Sequence, residues 1–317
     1  MLLLGSLCIL NPSSAQENGH NLIRRFPLEQ GDTVVFTGGA NLVAVNETAY
    51  LETLLTLSFA QQRVSFRNMA WEGDTVYEQR REMNFGSWQQ QFARVGVTVL
   101  FVQFGQMESF QGAGTLPGFL QAFEKLLDQF TNQTQRIVLL SPTPFEKPRP
   151  PLPDLSTRNS DLGVFVEAIR KLAAKRKMLF LDLFTPFADE ARDGLHVTDN
   201  GLQLTAKGHW VVAREICRQL GLQARTSTIQ ANPGSGVLRP DSAERLREAI
   251  QAKNRLWFDY WRPMNWAFLN GDRTEQPSSR DHRDRNVRWF PNEMKQFLPL
   301  IDAKEKEIEL LAQRPAK

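Results

Sequence analysis

The side chains of this chain that can move protons or attack a carbonyl gather in a few short polar stretches. Glu72 and Asp74 lie in one, Glu108 and Ser109 in a second, and Asp193, His196 and His209 in a third. Asp193 and His196 have the side-chain chemistry of an acid–base pair. Thr37, Ser109 or a water would then supply the nucleophile. Glu72, Asp74 and Glu108 have the chemistry for glycosidic acid–base work, or they are solvated loop acids and helix caps. His196 also fits a surface loop, and His209 fits a capping or packing position at a helix start. With four histidines scattered along the chain, no metal set is readable, and no motif calls for a cofactor.

These stretches need strands to place them. Thr33 to Asn41 holds an apolar run, Val34-Val35-Phe36, that ends abruptly at Gly38-Gly39. It reads as a strand buried on both faces and closed by a tight turn. Val64-Ser65-Phe66, Val97 to Phe104, Arg136 to Leu140 and Met178 to Leu183 read as further strands. Helical periodicity marks Tyr50–Phe59, Leu116–Phe130, Leu162–Arg176 and Gly208–Leu220. Alternation of strands and helices predicts a three-layer α/β domain over residues 31–222, with a parallel sheet. The loops at 38–42, 70–75, 105–109 and 193–209 should then meet at one sheet edge, where doubly wound sheets build their sites.

Residues 223–240 read as a linker, turn-rich at Ala231 to Gly236, and residues 241–317 as a helical extension. The extension carries Trp257, Trp261, Trp266 and Trp289, four of the seven tryptophans. Such density predicts a tail packed on the main domain or, alternatively, a carbohydrate-stacking surface. The chain has 317 residues, 41% hydrophobic and 23% charged, with net charge +3, which excludes an electrostatic case for nucleic acid. No apolar run reaches the roughly 20 residues of a membrane span. Met1–Ala15 reads as a secretory signal followed by a polar lead-in over 16–30, so a secreted or periplasmic location is expected. Cys217 would be the one cysteine left after cleavage, on the apolar face of a helix.

The order and content of the four loops resemble the SGNH/GDSL hydrolases, mostly esterases and carbohydrate deacetylases with a flavodoxin-like sheet. That resemblance implies an α/β three-layer fold with an α-helical C-terminal extension added here. It places the family's Gly-Asp-Ser block on Gly38-Gly39-Ala40, so Ala40 stands where the nucleophilic Ser would be. Gly73 stands at the backbone oxyanion donor. The Gly-x-Asn-Asp/Glu block falls on Gly105-Gln106-Met107-Glu108, with Met107 in place of the oxyanion Asn. The closing Asp-x-x-His block has two registers. Asp193 to His196 matches it by letter, whereas Asn200 to Gln203 leads directly into the closing helix and puts Asn200 and Gln203 at acid and base.

Gly38, Gly39, Asn41, Gly105 and Glu108 would line the substrate side. The implied ligand is a carbohydrate or acylated glycan, met by a protein that binds or scaffolds if hydrolysis is lost. The chain also resembles a bacterial group of secreted SGNH-fold proteins seen chiefly in planctomycete-like genomes. The shared marks are Arg67-Asn68, Asn84-Phe85-Gly86-Ser87, Ala252-Lys253-Asn254 and Trp261-Arg262-Pro263.

Overall fold

A computed structural model describes residues 28–81, 83–192 and 196–313. The expected signal segment, most of the lead-in, and Asp193 with its two following residues lie outside the described residues. The main unit runs β1 (Thr33–Gly38), α1 (Ala40–Thr48), α2 (Tyr50–Ser58), β2 (Ser65–Asn68), α3 (Trp88–Val95) and β3 (Val99–Gln103). It continues with α4 (Leu116–Thr131), β4 (Ile137–Leu140), α5 (Asn159–Lys175), β5 (Leu179–Leu181), α6 (Thr185–Arg192) and α7 (Ala206–Gln219). The five strands are parallel, in the order β2-β1-β3-β4-β5.

Strand alternation divides the core between the two faces of this sheet. Val34 and Phe36 of β1 point into one cluster with Leu51, Leu54 and Leu55 of α2 and Ile216 and Cys217 of α7. Val35 points the other way, joining Phe119, Phe123 and Leu127 of α4 and Phe165 of α5. Both faces are covered, as a parallel sheet requires.

Three helices of the main unit, α1, α3 and α6, fall outside the stretches marked by helical periodicity. Helix α1 mixes Asn41, Val43, Val45 and Asn46 with the good helix formers Ala40, Leu42, Ala44 and Glu47, so it shows no clean apolar face. Helix α3 is short and glutamine-rich, and its ends define it instead. Ser87 and Gln90 form a reciprocal capping box, and Gly96 closes it at a φ of 67°.

Past a two-residue ribbon (β6, Gln230–Ala231, with β7, Leu238–Arg239), the chain forms α8 (Asp241–Trp261), α9 (Trp289–Lys295) and α10 (Phe297–Ala312). Helix α8 lies along the outer side of β2. Ser65 N, at the start of β2, donates to Asp32 O just before β1, and Met69 N, just past the end of β2, donates to Phe36 O of β1, which leaves the groups of Phe66 and Asn68 facing outward. Lys253 Nζ donates to Phe66 O (3.1 Å) and Trp257 Nε1 donates to Asn68 O (2.8 Å). The match is metric: two strand residues rise about 6.6 Å and four helix residues about 6 Å.

The same seam holds a buried ion pair. Lys253 Nζ lies 2.7 Å from Glu52 Oε1 of α2, and Asn254 Nδ2 donates to Glu52 Oε2 (3.1 Å). Burial pushes the Glu52 carboxyl above its ordinary value, and the Lys253 ammonium offsets part of that rise. Arg67 pairs with Glu305 of α10 at 2.5 Å and stacks 5.3 Å from the Trp257 ring. Arg67, Asn68, Lys253 and Asn254 are therefore seam residues.

Trp257 and Trp261 are buried in the core. Trp289 is half-buried, with its Nε1 donating to Ser278 O, and Trp266 alone of the four is exposed. The four rings do not form one stacking platform.

A Lys253→Met variant leaves Glu52 as an uncompensated buried carboxylate and should lower unfolding stability by about 3–5 kcal/mol at neutral pH. The double change Lys253→Met with Glu52→Leu should recover most of that loss. Equilibrium urea unfolding of both variants measures the difference.

Candidate functional site

The sheet reverses its winding direction at β1, with β2 on one side and β3 on the other, so a crevice opens at their carboxyl ends. Gly38 closes β1 against Gln103 of β3. Its φ is 154°, and a Cβ there would run into the Gln103 carbonyl oxygen. Only glycine lets the two backbones meet at this point. Gly39 O accepts the first helical bonds of α1, from Leu42 N (3.0 Å) and Val43 N (3.2 Å). Ala40 is thus the first residue of a helix at the mouth of the crevice.

The depression beside Ala40 is about 50 Å³ and is lined by Gly39, Asn41, Gly105, Met107, Glu108 and Gln203, among others. Ligand pockets ordinarily run to roughly 300–1,000 Å³. Amides close it. Asn41 Nδ2 donates to Gln106 Oε1 (3.2 Å) and to Leu202 O (3.3 Å), while Asn41 Oδ1 accepts from Leu204 N (3.0 Å). Gln106 Nε2 also donates to Leu202 O (3.4 Å). Helix α1 and the loops of Gln106 and Leu202 are thereby tied together beside Ala40.

Asn200 and Gln203 are brought together. Asn200 Oδ1 accepts from Leu202 N (3.0 Å) and Gln203 N (2.7 Å), and Asn200 Nδ2 donates to Gln203 Oε1 (3.2 Å). Two carboxamides therefore hold each other beside Ala40, and neither takes a proton near neutrality. His196 is brought elsewhere. It is exposed and absent from the lining of the depression, with Nδ1 4.0 Å from Glu146 Oε2. Asp193, its proposed partner, lies outside the described residues.

Glu146 carried no sequence signal, yet it fixes this loop: its buried carboxylate accepts from Val197 N and Thr198 N, both at 2.9 Å. Neither alternative hydroxyl is free to attack. Thr37 and Ser109 are fully buried, and Ser109 Oγ donates to Gln106 O (2.8 Å).

The nearby acids are structural in their contacts. Glu108 Oε1 accepts from Val76 N (2.8 Å) and Oε2 from Gly105 N (2.9 Å); burial pushes its carboxyl up and these bonds pull it down. Asp74 takes both terminal nitrogens of Arg81, each at 2.7 Å, and burial likewise raises its carboxyl. Glu72 pairs with Arg262 at 2.7 Å. Both guanidiniums lie over the Trp71 ring, Arg81 4.5 Å and Arg262 4.0 Å from its centroid. Arg262 so clamps the Gly73 loop to the tail. Gly73 takes a φ of 82°, with open space where a Cβ would be. Met107 is half exposed at the rim. Among the described residues no group of three or more His, Cys, Asp or Glu side chains is placed to hold a metal ion.

The family model for GDSL-like lipases and acylhydrolases matches residues 31–211. The chain belongs to that family. Neighbours among solved structures include a gut microbial diltiazem-metabolizing enzyme, at 15% identity and TM-score 0.61. That alignment covers 90% of this chain and 94% of the other, so it extends into the C-terminal helices. A catalytic mutant of the acetylxylan esterase Axe2 from Geobacillus stearothermophilus aligns at 15% identity and TM-score 0.51, over 62% of this chain and 97% of its own. An α/β hydrolase from the metagenome of Lake Arreo, Spain, aligns at 16% identity and TM-score 0.50, over 61% and 97%. At these identities the likeness is one of fold. No curated protein matches the chain.

Two residues of α7 have their chemistry set by burial. The Cys217 thiol is pushed up to about 12 and stays protonated. His209 is held down to about 4, a neutral imidazole whose Nε2 finds no partner. Its folded value lies below the ordinary 6.5, so the native state binds fewer protons than the unfolded chain. Stability should fall as pH drops from about 6.5 to 4, by roughly 3 kcal/mol in all. In a His209→Leu variant the same chemical-denaturation series should be flatter by that amount. For the amide tie, Asn41→Ala removes the acceptor of Leu204 N–H, which is worth about 1–3 kcal/mol. Hydrogen exchange at Leu204 should quicken by about tenfold or more.

Proposed function

We propose that this GDSL-family chain no longer hydrolyses esters and acts as a binding or scaffolding module on the GDSL fold. The observation that carries the reading is the crevice at Ala40: a methyl group at the nucleophile position, under a 50 Å³ depression that Asn41 and Gln106 hold shut. Acyl transfer needs a nucleophile, a base within hydrogen-bond reach and donors aimed at the oxyanion. Ala40 offers no attacking atom, Gln203 no base and Met107 no donor. This assignment follows the register in which Asn200 and Gln203 hold the acid and base positions. Loss of one oxyanion donor alone costs about 3 kcal/mol in the transition state.

The module is placed outside the cytoplasm on the strength of the Met1–Ala15 segment. Its α/β domain is taken to end near residue 222 and its helical extension to begin near 241. An acylated or plain glycan is the ligand class most in keeping with the fold.

The test is direct. Purified full-length protein is assayed against aryl acetates and acetylated xylo-oligosaccharides, beside Gln203→Ala and His196→Ala variants. The expected result is no turnover above buffer in any sample. Turnover that disappears with either substitution would overturn the reading and assign the activity to that residue.

A further inference from the structure

A second, roomier cavity lies along α1, one turn beyond Ala40. Val43 and Glu47 of α1, Glu72 of the Gly73 loop, and Gln251, Arg255 and Phe258 of α8 border a groove of about 430 Å³. Its size is that of an ordinary ligand pocket. The groove exists because α8 packs against both α1 and β2, and it is built rather than accidental. Gln251, Arg255 and Phe258 are spaced four and three apart, which puts them on one face of the helix. Gln251 Nε2 is anchored on Glu47 O at 2.5 Å, and Asn254, buried beneath, donates to Asn46 O (3.3 Å).

The lining decides what fits. Phe258 and Val43 give an apolar patch, and Arg262 lies 5.0 Å from the Phe258 ring while it pairs with Glu72. Around the patch, Glu47 and Arg255 are exposed and make no ion pair among the described residues. Of the charged groups on the lining, Glu72 is neutralised by its pair with Arg262, which leaves one carboxylate, Glu47, and one guanidinium, Arg255. The balance favours neither an anion nor a cation. A wholly apolar ligand would strip water from these charges without replacing its hydrogen bonds. A ligand that is neutral, carries an apolar face, and offers donors and acceptors on its rim meets every group present. Pyranose rings have that description.

We infer that the groove between α1 and α8 binds a short neutral oligosaccharide, with one ring against Phe258 and hydroxyls shared among Glu47, Arg255 and Gln251. The inference rests on the reading of the chain as a non-hydrolytic binding module, and it moves the ligand away from the closed crevice. Nothing in it requires Ala40, Met107 or Gln203.

Calorimetric titration of the full chain with xylotetraose, cellotetraose and mannotetraose tests it, with tetragalacturonate and chitosan tetramer as charged controls. At least one neutral tetrasaccharide should bind, and Glu47→Gln, Arg255→Gln and Phe258→Leu should each weaken it tenfold or more. Gln203→Ala should leave it unchanged. The first two sites are exposed and unpaired, so thermal melts of those variants should match the parent. Absence of binding by all three neutral sugars would overturn the inference. So would equal or tighter binding of a charged control, loss of binding in Gln203→Ala, or indifference to all three groove variants. Hydrolysis of the acetylated form of the bound sugar would instead sink the non-hydrolytic reading, and leaves the binding result standing.

Discussion

The outward carbonyls of Phe66 and Asn68 are the constraint around which the rest of this molecule is arranged. A parallel sheet that ends in a four-residue strand leaves backbone groups that must find partners. Here a helix supplies them with side chains, Lys253 and Trp257, in step with every second carbonyl of β2. Driving an ammonium to this depth requires a counter-charge, and Glu52 on α2 provides it. Once α8 is seated, Trp257 and Trp261 fall into the same core cluster as α4 and α5. The tail is in that sense an added wall of the domain.

That wall reaches the crevice through Arg262. Its guanidinium lies on Trp71 from one side while Arg81 lies near the ring too, and each is paired with a carboxylate of the same loop. The loop that holds Gly73 is thereby fixed by the extension rather than by a bound substrate. On the opposite side, Asn41 and Gln106 fix the loop of Asn200 and Gln203. The amide groups on this side of the crevice are thus engaged in hydrogen bonds within the protein.

Most of the fold was legible in the sequence, because β1, β3 and β4 are continuous apolar runs and α4 and α7 have plain stripes. The loops that follow β1 and β3 could be placed at one edge from alternation alone. Helix α1 was not legible, since its apolar residues face several ways at once. At the site, alternation brought the loops of Ala40, Gly105, Glu108 and Gln203 to one edge, and only the family's block order gave those residues roles. The roles of Asn41 and Glu146 left no trace in spacing or composition. Both act by accepting or donating to backbone groups distant in sequence, and such bonds depend on tertiary position. The tryptophans misled in part: density showed that the tail packs, but could not show which rings would be buried.

The side-chain caps on β2 also restrict how this protein can meet others. A strand edge whose carbonyls are already engaged offers no ladder to an extended peptide, so recognition by strand addition is closed on that side. The same caps remove a template for edge-to-edge self-assembly. What remains on that flank is helical surface, and recognition there must proceed through side chains seated in grooves.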